Sequence, residues 1–162
     1  MLVKTYCAAM MGLEATTITI EVNMTRGMMF HLSGLADTAV KESYDRIRAA
    51  MSNIGFKPPT ADLTINLSPA DIRKEGSGYD LPLAVGILAA HGKVSEDLLS
   101  EYMMIGELGL DGKLKPVSGI LSVAIRARKE KFKGLNVPKE NASEAAIVDD
   151  LERQHVVPLG QQ

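Results

Sequence analysis

At 162 residues, with 46% hydrophobic and 23% charged side chains, the chain has the make-up of one globular domain able to bury a core. A formal net charge of −2 excludes a free-standing, strongly basic nucleic-acid binder, though not a local basic patch. Cys7 is the only cysteine, and His31, His91 and His155 share no ligand spacing, which excludes an internal disulfide and a cysteine-built zinc site.

The first residues, "MLVKTYCAAMMG", carry one early lysine and no sustained apolar run, so they do not read as a signal peptide. No stretch approaches the roughly 18 apolar residues of a membrane span. A cytoplasmic protein with no membrane partner is expected. Residues 15–23, "ATTITIEVN", alternate and are β-branched, which predicts a strand. "MTRG" is read as a turn and "MMFHLSG" as the antiparallel neighbour of that strand. From Asp37 the period changes: Val40, Tyr44, Ile47, Met51 and Ile54 form one stripe of an amphipathic helix. Asp37 or Thr38 is expected to cap that helix and Gly55 to stop it. "KPPT" breaks the chain, and "ADLTINLSP" alternates again as a strand.

A glycine turn, "KEGSGYD", then leads into a helix from about Leu81 to His91. Asp80 is a good N-cap, and Pro82 is tolerated because first-turn amides lack intrahelical partners. "EYMMIGELGLDGKLKPVSG" reads as a strand and a tight hairpin with Asp111-Gly112 at the turn. A helix follows from Gly119 to about Lys131, its last turns basic as suits a C-terminal dipole. "GLNVP" is a short strand, "NASEAAIVDDL" a helix capped by Asn141 or Ser143, and "HVVPL" a last strand. One α/β domain over residues 1–160 is the reading.

A turn of this kind before a helix often carries chemistry, and each candidate residue there also has a plain structural use. A P-loop needs G-x-x-x-x-G-K-[ST]. Gly92-Lys93 and Gly112-Lys113 are followed by Val94 and Leu114, and neither has the earlier glycine. Asp71, Glu75 and Asp80 are carboxylates that nothing in the sequence sets across a cleft, and Asp80 is favoured as a cap over a catalytic acid. Ser68, Ser77 and Ser118 lie in turns, where capping outweighs nucleophilic use. Arg73 and Lys74 lie on a glycine-flanked loop before a helix N-terminus, a place that suits an anion such as a nucleic-acid phosphate. A solvated loop is the competing reading.

"HLSGLADTAVKESYDRIRAAM", "TINLSPADIRKEGSGYDLPLAVGILAA" and "IGELGLDGKLKPVSGIL" resemble the N-terminal domain of magnesium-chelatase-like AAA+ proteins of the YifB/ComM family, over about Lys4 to Leu159. Ala36 departs from that pattern, where proline is usual. The resemblance implies an α/β (α+β) two-layer fold like domain 2 of ribosomal protein S5 and the proteolytic domain of Lon. It also implies that Leu83 stands where Lon-type proteases have the dyad serine and Leu121 where they have the lysine. The neighbours Pro82, Ala84, Ile120 and Ser122 rescue neither position, and an alkyl group neither attacks a carbonyl nor acts as a base. Leu83 is instead expected to be a packing residue.

The resemblance thus implies an accessory, non-catalytic domain with no cofactor of its own. ATP and Mg are implied for an ATPase module outside this chain. Other subunits of a homo-oligomeric ring are the implied partners, and the resemblance allows DNA contact through the full-length assembly in DNA processing or branch migration. Lys113 and Lys115 are expected to join Arg73 and Lys74 in one cationic patch, because the Lon-like fold brings the two motifs together. Two alternatives stand beside this reading: a Lon-like serine peptidase with Ser77 or Ser118 as nucleophile served by Lys74 or Lys115, and a stand-alone protein-interaction module.

Overall fold

The computed structural model describes residues 1–148 and 152–155. β1 (Leu2–Met11) and β2 (Glu14–Thr25) form an antiparallel hairpin with Met11 opposite Glu14. Gly12 turns the chain at φ 65°, in the left-handed region that glycine enters without steric cost. The sequence shows β2 clearly and β1 hardly at all. Cys7, Ala8 and Ala9 are buried at consecutive positions, so the alternation that announces a strand is lost there.

β3 (Phe30–Ser33), α1 (Thr38–Lys41), α2 (Ser43–Asn53) and β4 (Asp62–Ser68) come next. The sheet order is β1-β2-β4-β3, with β2 antiparallel to β4 and β3 parallel to it. This corrects the expectation that residues 28–34 pair with β2. A strand, a helical crossover and a second strand lie parallel, and β3 and β4 are joined in that way. The single helix expected from Asp37 is two, divided at Glu42. Asp37 caps the first, its Oδ1 accepting from Val40 N at 2.8 Å. In α2, Ile47, Ala50 and Met51 are buried, while Tyr44 stacks on Phe30 with ring centroids 4.3 Å apart. Gly55, at φ 88°, follows its end as expected.

α3 (Asp80–Ala90) is buried at every position but Val85. A helix apolar all round belongs in a core. It lies so close to the sheet that a Cβ at Gly86 would stand 2.9 Å from Val22 Cγ2. Thr5 Oγ1 donates to Pro82 O at 3.0 Å, and α2 packs against α3.

The remaining elements are β5 (Tyr102–Met104), β6 (Glu107–Leu108), β7 (Leu114–Lys115), α4 (Ile120–Lys129), β8 (Gly134–Val137), α5 (Ala142–Ala145) and β9 (Glu152–His155). β5, β8 and β9 make a parallel sheet in that order, and β6 and β7 a separate antiparallel pair. The hairpin loop runs over residues 109–113, longer than a two-residue turn, and contains Asp111-Gly112 with Lys113 N bonded to Asp111 Oδ1 at 3.0 Å. α4 buries Ile120, Val123, Ala124 and Ala127, packing on β2 and β8. α5 is shorter than expected. Asn141 does not cap it with its side chain, and the rest of the expected helix past 148, like the expected strand past His155, lies outside the described residues. The fold is mixed α/β, as expected, and its core is aliphatic.

Candidate functional site

The glycine turn is stitched to the chain before α1. Lys74 N donates to Leu35 O at 3.0 Å and Asp37 N to Lys74 O at 2.9 Å. Asp37 serves twice, because its Oδ2 also accepts from Gly76 N at 3.0 Å. Gly76 holds φ 87°, so the turn needs glycine there.

This stitching changes the part that Lys74 plays. Its side chain is fully buried, and its ammonium donates to the carbonyls of Gly34 (2.7 Å) and Pro69. Burial pushes its pKa below the ordinary lysine value, with nearby Asp71 opposing that shift. An ammonium spent on two carbonyls does not reach a phosphate, so Lys74 is corrected from a surface contact to an internal clasp. Arg73 is exposed and paired with Glu75 at 2.9 Å. Lys113 and Lys115 are exposed as well, but the expected patch of four has lost a member. The hairpin loop that carries Lys113 leans on the end of α2, where Asn53 Nδ2 donates to Leu110 O at 2.7 Å.

Asp80 is also corrected. The position before α3 belongs to Tyr79, which makes no side-chain cap. The Asp80 carboxylate is fully buried and grips Arg46 of α2: Nε meets Oδ2 and Nη2 meets Oδ1, each at 2.8 Å. Leu108 N adds a bond to Oδ2 at 3.0 Å. Arg46 Nη2 also reaches Ala39 O at 2.7 Å and Ser43 Oγ at 3.2 Å. The bond to Asp80 is the largest influence on Arg46 and raises its pKa further. A carboxylate engaged on both oxygens is occupied with structure, and no local pattern in the sequence announces its partner.

The turn forms one wall of a cleft of about 810 Å³. Its other walls are the end of β1 with the hairpin turn (residues 8–12) and the segment Pro116 to Ser118. The glycine turn and the "KPVSG" segment are therefore brought together. Asn141, missed in the sequence as anything but a cap, fixes the second wall: its Oδ1 accepts from Val117 N at 2.9 Å and its Nδ2 donates to Val117 O at 2.8 Å. Ser77 and Ser118 both line the cleft, whereas Lys113 and Lys115 are not among its lining residues. Tyr79 lines it too. It is 3% exposed, its hydroxyl has no partner among the described residues, and burial raises its pKa.

Leu83 and Leu121 face different surroundings. Leu83 is 2% exposed and packs among Phe30, Val40, Tyr44, Ile47 and Ile65. Leu121 is 37% exposed, with its backbone N bonded to Glu144 Oε1 at 3.3 Å. At the start of α3 the buried carboxylate is neutralised by Arg46, and Gly112-Lys113 sits in a hairpin rather than between a strand and a helix. Among the described residues no cluster of His, Cys, Asp and Glu stands ready for a metal ion, and no helix is long and apolar enough to cross a membrane.

Residues 20–141 match the family described as subunit ChlI of Mg-chelatase. The chain is 42% identical over 146 residues to competence protein ComM of Haemophilus influenzae, covering 90% of this chain and 28% of that protein. It is 42% identical over 142 residues to the protein YifB of Escherichia coli, covering 87% and 28%. Lon protease 2 of Bacillus subtilis is 27% identical over 119 residues, covering 74% and 21%. The chain thus spans less than a third of the length of each of these relatives.

Proposed function

The chain belongs to the family of the ChlI subunit of Mg-chelatase, and from that premise we propose that it is a non-catalytic accessory domain of a longer, ComM-like AAA+ ATPase. The observation that carries this reading is Leu83, a core side chain at the position that the Lon resemblance gives to the nucleophile. Leu121 supports it at the position of the base. The domain contributes contacts with other subunits of a ring in the cytoplasm, and ATP and Mg belong to the ATPase module. DNA is met by the assembled ring, where many weak contacts add, rather than by one domain of net charge −2.

The placement of Ser77 and Ser118 in the cleft is the one feature that favours a relocated peptidase. Lys74, one of the candidate bases, is held by Gly34 and Pro69 instead, and Lys115 is not among the cleft residues. A serine without a base is a poor nucleophile. The test is incubation of the chain with unfolded casein and, separately, with ATP; neither is expected to turn over. Casein cleavage that disappeared in Ser77→Ala or Ser118→Ala would overturn the reading.

A further inference from the structure

Among the described residues β1 ends its sheet, since it pairs with β2 alone. In a two-residue hairpin the hydrogen-bonded pairs start beside the turn and recur at every second position. Here they are Met11 with Glu14, Ala9 with Thr16 and Cys7 with Ile18. The N–H and C=O of Ala8 and Met10 therefore point away from β2. Apart from a 3.9 Å contact from the neighbouring Cys7 Sγ to Ala8 O, no group among the described residues bonds to them.

Open edges are normally guarded by lysine, proline or a bulge. Residues 8–11 are Ala, Ala, Met and Met, with Met10 and Met11 exposed, and they border the 810 Å³ cleft. We propose that this cleft docks an extended polypeptide segment, which adds to β1 as a further strand bonded at Ala8 and Met10. Main-chain bonds supply the register and alternate side chains of the segment enter the cleft. Gly78, Ile105 and Val117 offer it a small apolar lining. Arg73 and Glu75 neutralise each other at 2.9 Å, so among the described residues the lining has no spare cation for a polyanion and favours an uncharged segment. Methionine adapts to varied partners, which suits Met10 and Met11 to recognition through the backbone. No bond is made or broken at the site.

The probe is an acetylated, amidated heptapeptide of alternating serine and valine with one terminal fluorophore. It is titrated into the 162-residue chain by anisotropy, with backbone amide NMR on the same samples. Saturable binding below about 1 mM is expected, with shifts centred on Ala8, Met10, Gly78 and Val117. Two further peptides carry N-methyl groups on alternate amides, one set on each edge. The set that faces β1 should bind about tenfold more weakly and the other set as well as the parent. Met10→Pro, which removes one outward donor at an edge, should weaken the parent peptide; if that variant does not fold, the methylated pair still decides. Three outcomes would each overturn the proposal: equal binding of all three peptides, no binding by about 1 mM, or shifts at these amides caused by a single-stranded DNA oligomer instead.

Discussion

Leu83 exchanges reactivity for packing. Its side chain touches α2 and the β3–β4 edge of the sheet at once, and burial of a leucine is worth about 1.5–3 kcal/mol. Truncation also leaves a cavity, so Leu83→Ala is expected to lower stability by about 2–5 kcal/mol. Leu83→Ser should cost at least as much, because its hydroxyl enters an apolar layer. Urea denaturation measures both, and an unchanged midpoint would contradict the burial. This role was legible in the sequence, because an apolar residue amid apolar neighbours has few other uses. The burial of Lys74 was not legible. Nothing local distinguishes a lysine that reaches water from one that ends on the carbonyls of Gly34 and Pro69, and those acceptors come from loops that only the fold brings together.

Two helices are clasped by Arg46 and Asp80. Because Asp80 is fully buried, Asp80→Ala strands the guanidinium and should cost about 3–5 kcal/mol. The double replacement Arg46→Met with Asp80→Leu should cost less than either single change, since it removes both charges together. A double-mutant cycle by thermal unfolding gives the coupling, and strictly additive losses would mean that the clasp contributes nothing. Elements as such were largely visible in the sequence: the stripe of α2, the alternation of β2 and β4, and the apolar run of α3. Their partners were less so. Period-two alternation says that residues 30–33 form a strand, and says nothing of which edge receives it. The helical crossover between β3 and β4 decides that, and it placed β3 beside β4. The cleft shares this character, for its walls come from three distant stretches of chain.

In the whole molecule the four-cation patch expected beside the glycine turn is incomplete. Arg73 is already paired with Glu75 and Lys74 is inside, so the isolated domain should bind DNA no more tightly than the non-specific range of about 10⁻⁴–10⁻⁶ M. Arg73→Ala should leave both affinity and salt dependence unchanged in a fluorescence titration. A salt slope reduced by about one unit would instead place a phosphate at that side chain. The all-round burial of α3 carries a consequence for biosynthesis. The strands beneath it, β1 and β2, and the helix beside it, α2, all precede it in the chain. Chains are made from the N-terminus and fold as they emerge. When residues 80–90 leave the ribosome, β1, β2 and α2 are already outside to receive them, and the β6 segment that bonds to Asp80 follows to close over the start of the helix.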